Sequence, residues 1–224
     1  MDTFVKVKSS LAGHEISKVR EVSQKEKELA RSAKKLARDT QRAGRQLQVW
    51  GTTEHPDLAD IADKLGTLYE DLFVAQDYYA DQHEAYRHFL KEIRNAEEAY
   101  YAVAKRQRLL QDRVEGLKKK NKPFEEVRLE LLSVEGQLSK MEADLHENKR
   151  NLLRKGLTIQ YEAMAVWAKR LALASRYGMH LVGQIPHDKP VQGHALPPWT
   201  HGHVVSRIMS DYHKEKQILK QQAP

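Results

Sequence analysis

The chain has 224 residues, of which 31% are charged and only 7% are aromatic, and its formal net charge at pH 7 is +7. Because it contains no cysteine, disulfides, thiolate metal sites and thiol catalysis are excluded. High charge with few aromatic residues is typical of long, solvated helices rather than of a thick globular core. The charge is uneven, since residues 51–100 hold 4 Lys/Arg against 12 Asp/Glu and form an acidic stretch within a basic chain.

We expect neither a transmembrane helix nor a lipid anchor from this sequence. No run approaches about 18 consecutive apolar residues, so we expect no helix that spans a bilayer. We expect no secretory signal, because the first residues lack a long apolar core. Gly does not follow Met1, and the C-terminal QQAP is not a prenylation box, so neither lipid anchor is expected. Any membrane contact would therefore be peripheral, and the reducing cytosol is the natural compartment.

Proline and glycine divide the chain into three long segments and a short one. The breakers are GTTEHPD (51–57), KKKNKP (118–123) and IPHDKPVQGHALPPW (185–199), with no proline between them. The long segments exceed the typical length of a globular helix, about 8–20 residues, so they need a special architecture. A shorter helix is predicted over residues 203–220, with Thr200 as its cap.

The middle segment carries a sustained heptad pattern. Position a holds Leu58, Leu65, Leu72, Tyr79, Tyr86, Ile93, Tyr100, Gln107 and Val114, and position d holds Ile61, Leu68, Ala75, Gln82, Phe89, Ala96, Val103, Leu110 and Leu117. Such a pattern predicts a coiled-coil helix. At about 1.5 Å per residue, that helix would be roughly 90 Å long.

The other two long segments complete an all-α bundle. The third repeats the heptads from Val127 to Leu152 and shifts register near Gly156, which predicts a local change of supercoil. The first has a thinner apolar stripe, made of Val19, Val22, Leu29, Leu36, Leu47 and Trp50. We therefore predict three long antiparallel helices, with the first on the outside. A homodimer would cover the broad apolar ends of segments two and three.

The stretch YRHFLKEIR (86–94) places three cations, Arg87, Lys91 and Arg94, inside the acidic stretch. Spacings of four and three residues put them on one helix face. In the predicted register they occupy positions b and f, furthest from the seam. Two interpretations stay open at this point. One is an ordinary solvated face, which is common at such positions, and the other is an anion-binding patch.

Several motifs resemble a known family in the same order over residues 13–215. They are QLQVWGTTEHPDLADIADKLGTLYEDL (46–72), YRHFLKEIR (86–94), LASRYGMHLV (173–182) and the PVQG…W linker. The combination of Trp-Gly, an acidic loop and DIADKLG is specific, whereas a heptad run alone is not. On these motifs the chain is similar to the fungal eisosome core component (pilin-type) BAR domain family.

The resemblance implies a crescent-shaped antiparallel dimer with three long helices from each subunit. It implies binding to phosphoinositides, especially phosphatidylinositol 4,5-bisphosphate (PI(4,5)P2), on the cytosolic face of the plasma membrane. It also implies assembly into filaments and lattices that shape furrows. The family's lipid-binding pattern Y-R-x-x-x-K-x-x-R falls on Arg87, Lys91 and Arg94. Secondary lipid-binding candidates are Lys27, Arg31, Lys118, Lys119 and Lys120.

These expectations give a domain division. We predict a short N-terminal arm (1–13), a BAR helical core (14–185), a Pro/Gly-rich linker (186–199) and a C-terminal helix with its tail (200–224). Members of the family usually carry a longer N-terminal arm and an acidic C-terminal tail. Because this sequence shows neither, the resemblance supports dimerisation and lipid binding more than lattice assembly.

Catalytic motifs do not occur in the sequence. There is no Gly-rich phosphate loop and no nucleophile elbow, so we expect neither an enzyme nor a cofactor. His194, His201, His203 and His213 lack supporting cysteines or ordered carboxylates, so we expect no metal site. A coiled-coil adaptor or nucleic-acid-binding scaffold remains the alternative function. The alternation of basic and acidic blocks argues against nucleic acid, which favours a uniformly basic track.

Overall fold

The computed structural model describes residues 2–187 and 192–221, with side chains from residue 18 onward. Its four α-helices are α1 (Asp2–Gly51), α2 (Pro56–Lys119), α3 (Glu125–Val182) and α4 (Gly202–Gln221). No strand occurs within these described ranges. The predicted all-α architecture of three long helices and a shorter C-terminal one is therefore confirmed.

The predicted domain division falls partly outside the described residues. Helix α1 already begins at Asp2, inside the stretch 1–13 predicted as an arm, but the side chains of that stretch are not described. Residues 188–191 of the predicted linker and residues 222–224 of the predicted tail also lie outside the described ranges. The division as a whole stays a prediction.

The turn between α2 and α3 is closed by a capping motif. Asn121 has a φ of 49°, in the left-handed region that asparagine tolerates. The N–H of Lys122 donates to the carbonyl of Leu117 with an N···O distance of 3.0 Å, and the N–H of Asn121 donates to Lys118 at 3.1 Å. These two bonds form a Schellman motif. They satisfy the last carbonyls of α2 and end the helix inside a run of lysines.

The chain forms two compact units. Unit 1 comprises residues 1–27 and 84–159, and unit 2 comprises residues 28–83 together with residues 160 onward. Each of the three long helices contributes to both units, and α4 belongs to unit 2 alone. The cations at 87, 91 and 94 therefore lie within unit 1.

Helix α1 packs in unit 2 through its smallest side chains. Ala30, Ala37, Gly44 and Gly51 recur every seven residues and are all buried. A Cβ atom at Gly44 would lie 2.4 Å from the Cβ atom of Tyr69 on α2. That separation is too short for two carbon atoms, so this close approach of α1 to α2 requires glycine.

The predicted apolar stripe of α1 is wrong for its larger residues. Val22, Leu29, Leu36 and Trp50 are exposed to 45%, 47%, 51% and 48%. Leu29, Leu36 and Trp50 directly precede Ala30, Ala37 and Gly51, three of the small residues that make the contact. The distance between two packed helices depends on the side chains at the contact, and the small residues allow a closer approach than leucines would. The larger residues are thereby left on the outer side.

The core of unit 2 joins α2, α3 and α4. Its buried members are Ile61, Leu68, Leu173, Ala174, Leu181, Val205, Met209 and Tyr212. The hydroxyl of Tyr212 donates to Asp71 at 2.7 Å, and burial raises the pKa of this tyrosine well above its usual range. Trp199, which precedes α4, donates through Nε1 to Asp60 Oδ2 at 3.1 Å. Helix α4 is thus fixed by both apolar and polar contacts.

Unit 1 packs α2 against α3. A Cβ atom at Gly156 would lie 2.7 Å from Cδ2 of Tyr86, so α3 approaches α2 here with no room for a side chain. Nearby, the buried carboxylate of Glu97 forms an ion pair with Lys149. Further along, Arg106 Nη2 lies 2.6 Å from Glu130 Oε1. Apolar and ionic contacts therefore fix these two helices side by side along unit 1.

None of the helices that the structure describes is both long enough and apolar enough to cross a membrane.

Candidate functional site

The three cations of YRHFLKEIR lie beside the packed face of α2, not opposite to it. The buried residues in this stretch and the turn that follows it are Tyr86, Leu90, Ile93 and Glu97. They occupy positions a and e of the predicted register, whereas the predicted d residue Phe89 is only half-buried. Each residue advances about 100° around a helix. The packed face, centred between positions a and e, is therefore rotated toward position b relative to the predicted face, which is centred between a and d.

The prediction that Arg87, Lys91 and Arg94 stand furthest from the seam is therefore wrong. All three are half-buried, and the side chains of Arg87 and Arg94 are 12% and 31% exposed. The two arginines flank the packed face, and Lys91 lies further round on the same side. The physical reason is that α2 buries Leu90 and Glu97 where the heptad register predicts Phe89 and Ala96. We call these three cations the α2 stripe.

Arg87 is held by a carboxylate from the preceding turn. Its Nε donates to Oε2 of Glu84 at 2.8 Å, and its Nη2 donates to Oε1 of the same side chain. These hydrogen bonds lower the pKa of Glu84, although its partial burial opposes the change. Glu84 in turn raises the pKa of Arg87. The pair is bidentate, which is the stronger geometry for a guanidinium.

Arg94 is held less firmly. Its Nη2 donates to Oδ1 of Asn95 at 2.9 Å, and its Nε lies 3.4 Å from Oε1 of Glu98. That second contact is an ion pair without hydrogen-bond geometry, because the buried Nε of Arg94 has no hydrogen-bond partner. Among the residues that the structure describes, Lys91 forms neither an ion pair nor a hydrogen bond. Its positive charge nevertheless helps to lower the pKa of Glu84.

The three primary candidates lie within about two turns of α2. Lys118, Lys119 and Lys120 are exposed at the end of α2, about 36 Å along the helix axis from Arg94. The ammonium of Lys118 lies 5.1 Å from the ring centroid of Phe124, which is cation–π distance. Lys27 belongs to unit 1 and Arg31 to unit 2.

Sequence reasoning missed Glu84 and Glu98 as partners of the α2 stripe. The signal was present, because Glu84 precedes Arg87 by three residues and Glu98 follows Arg94 by four. Both spacings place side chains next to each other on a helix. The heptad register gives the position of each cation relative to the seam, but it does not show which carboxylates lie next to it along the helix.

A resident metal ion is not suggested by the acidic and histidine side chains. In the part of the chain that the structure describes, no three of them gather closely enough to hold one. The carboxylates beside the α2 stripe face cations instead, namely Glu84 beside Arg87 and Glu98 beside Arg94. The chemistry available at this surface is therefore the binding of anions by guanidinium and ammonium groups.

Comparison with known proteins bears on what this surface serves. The family model described as "Eisosome component PIL1" matches residues 4–221. The chain is 31% identical over 167 residues to the "Probable sphingolipid long chain base-responsive protein pil1" of Schizosaccharomyces pombe, covering 72% of this chain and 47% of that protein. It is 29% identical over 165 residues to the "Sphingolipid long chain base-responsive protein LSP1" of Saccharomyces cerevisiae, covering 72% and 48%.

A second protein of Saccharomyces cerevisiae, the "Sphingolipid long chain base-responsive protein PIL1", is 28% identical over 165 residues, with the same coverage of 72% and 48%. The chain thus spans about half the length of the curated relatives it matches. The family match, in contrast, runs through all four helices, and it confirms the resemblance carried by the sequence motifs. The chain belongs to the eisosome component PIL1 family.

Proposed function

We propose that this chain is a peripheral membrane-binding BAR scaffold that binds phosphoinositides, especially PI(4,5)P2, at the cytosolic face of the plasma membrane. The α2 stripe of Arg87, Lys91 and Arg94 would contact the headgroup. The observation that carries the proposal is the clustering of these three cations on one flank of α2, within a segment that is otherwise acidic. Family membership supports a role in eisosomes.

The strength of the contact follows from the number of charges. A cation near an anionic membrane contributes about 1 kcal/mol, an effect that decays within a Debye length. Three cations per subunit, doubled by a two-fold axis, would give about 6 kcal/mol before the costs of ordering. Such a contact is reversible, and assembly of many subunits would strengthen it through multivalency. Arginine suits a polyphosphate because its guanidinium binds phosphate in a bidentate way.

A homodimer is part of the proposal. Unit 2 exposes large apolar side chains on α1 and α3, namely Leu29, Leu36, Trp50, Leu171 and Met179. Exposed apolar side chains of this size are typical of interaction surfaces. We propose that a second copy of the chain covers them in an antiparallel, crescent-shaped dimer, as the family resemblance implies. Dimers would then assemble into filaments or lattices that shape or organise furrows of the plasma membrane.

Vesicle co-sedimentation tests the lipid proposal. We expect the wild-type protein to sediment with phosphatidylcholine vesicles that contain PI(4,5)P2. The R87E/K91E/R94E variant should lose this binding, while analytical ultracentrifugation shows its oligomeric state unchanged. The matched control K140E/R150E/R154E removes the same charge from exposed positions on α3 and should retain most of the binding. Equal binding by the wild type and the R87E/K91E/R94E variant would overturn the proposal.

Two further measurements separate this proposal from its alternative. The milder R87Q/K91Q/R94Q variant, checked by circular dichroism, tests the site even where three charge reversals disturb folding. Electron microscopy of the same vesicles tests assembly, since a scaffold should produce tubules with a regular coat. Binding to nucleic acid in place of vesicles would favour the adaptor or nucleic-acid-binding alternative.

A further inference from the structure

The α2 stripe is flanked by two carboxylates on its own helix face. Glu84 stands before Arg87, and Glu98 stands after Arg94. Together the three cations and two carboxylates leave one positive charge uncompensated. The stripe is therefore much less positive in the free protein than its cations alone indicate.

The contact of Glu84 with Arg87 uses the same donors that a phosphate would need. Both Nε and Nη2 of Arg87 donate to the two oxygens of this carboxylate. A guanidinium presents a planar fork that pairs with a carboxylate or a phosphate in the same bidentate way. The side chain of Arg87 is only 12% exposed, so little of it is open to a headgroup while Glu84 is in place. A phosphate must therefore take the place of the carboxylate.

The contact at the other end is weaker. Arg94 Nε and Glu98 Oε1 are 3.4 Å apart and do not form a hydrogen bond. Glu97 is a further carboxylate close to Arg94 in sequence, but it is buried and paired with Lys149 of α3. Glu98 therefore competes for Arg94 mainly through its charge, whereas Glu84 competes for Arg87 through charge and hydrogen bonds.

We propose that Glu84, and to a smaller extent Glu98, are intramolecular competitors of the phosphate groups that bind the α2 stripe. In the free protein Glu84 occupies the fork of Arg87. On binding, a phosphate group replaces the carboxylate, which turns toward solvent. Lys91, which has no ion pair among the described residues, makes the first contact. This inference rests on the proposed lipid binding. It identifies Glu84 and Glu98 as residues that lower the affinity of the α2 stripe for phosphoinositide headgroups.

A double-mutant cycle tests the competition. E84Q should raise the affinity for PI(4,5)P2 vesicles about two- to fivefold, which is the range expected for loss of one ion pair at the protein surface. E98Q should raise it less. The control E92Q makes the same change of charge at an exposed position on the other side of α2 and should have the smallest effect. In an R87Q background, E84Q should give no more than the effect of E92Q.

The outcomes separate the inference from the proposed function. If R87Q/K91Q/R94Q binds vesicles like the wild type, the lipid site itself is wrong. If that variant loses binding but E84Q equals E92Q, or keeps its full effect in the R87Q background, the competition is wrong and the lipid site stands. Soluble inositol 1,4,5-trisphosphate and inorganic phosphate, titrated in parallel, distinguish a headgroup site from a general phosphate site. Displacement of Glu84 by either should shift the NMR signal of the Arg87 Nε–H group, and an unchanged signal at saturation contradicts displacement.

Discussion

The two basic regions of α2 in unit 1 differ in how their cations are held. In the α2 stripe, Arg87 and Arg94 are half-buried and paired with carboxylates of the same helix. At the end of α2, Lys118 to Lys120 are exposed, and the helix terminates among them in a Schellman motif. The arginines of the first region have donors held in a defined geometry, whereas the lysines of the second region are exposed cations. Although each region has three cations, we expect the α2 stripe to select a particular headgroup and the lysines to respond only to the charge of the membrane.

The largest difference should appear when each region loses three charges. R87Q/K91Q/R94Q should lower the affinity for PI(4,5)P2 vesicles about tenfold or more and abolish the preference over phosphatidylserine vesicles of equal surface charge. K118Q/K119Q/K120Q should lower both affinities by the same factor, a smaller one than for the α2 stripe, and leave the preference unchanged. Co-sedimentation with both kinds of vesicle measures the two effects. The comparison fails if the lysine variant loses the preference and the stripe variant keeps it.

A single conservative exchange should sharpen the comparison. R87K keeps the charge but removes the planar fork, so we expect about two- to fivefold weaker binding to PI(4,5)P2 vesicles. The reverse exchange K119R, at the end of α2, should have little effect because no fixed geometry is in use there. Isothermal titration of the two variants against the same vesicles measures the difference. Equal affinities for R87K and the wild type would show that the α2 stripe acts only through its charge.

The smallest effect concerns stability. Because Arg87 lowers the pKa of Glu84, the folded state binds this proton less readily than the unfolded state. The pair therefore stabilises the fold at neutral pH, and its contribution is lost as the pH falls through the lowered pKa of Glu84. We expect E84Q to lower Tm by about 1–2 °C at neutral pH, with the difference disappearing in acid. A difference that grows in acid, seen by thermal melts against an E92Q control, would contradict this sign.

The sequence predicted the helices well because their ends are chemically marked. Proline, glycine and the lysine run separate the segments, and α4 begins at residue 202 and ends at 221, within one residue of the prediction. The register was harder to predict. Tyr86 and Ile93 are buried as expected, but Glu97 replaces Ala96 on the packed face. No apolar pattern reveals a buried glutamate, because its partner Lys149 lies on another helix.

The candidate site was predictable in its residues but not in its environment. The motif indicated Arg87, Lys91 and Arg94, whose types and spacing are properties of the sequence alone. Their partial burial depends on which face of α2 meets α3. The apolar residues at positions a and d do not show that this face is rotated to include position e. The engagement of Arg87 by Glu84 could have been inferred from their spacing of three residues.

The small residues of α1 have a consequence for how contacts are divided within this chain. In helix α1, Ala37, Gly44 and Gly51 are buried within the chain, whereas Leu36 and Trp50 are exposed on the outer side. A substitution of Gly44 would disturb the inside of one subunit, whereas a substitution of Leu36 would alter only what the helix presents to other molecules. Folding and association can thus vary independently along a single helix, at positions one residue apart.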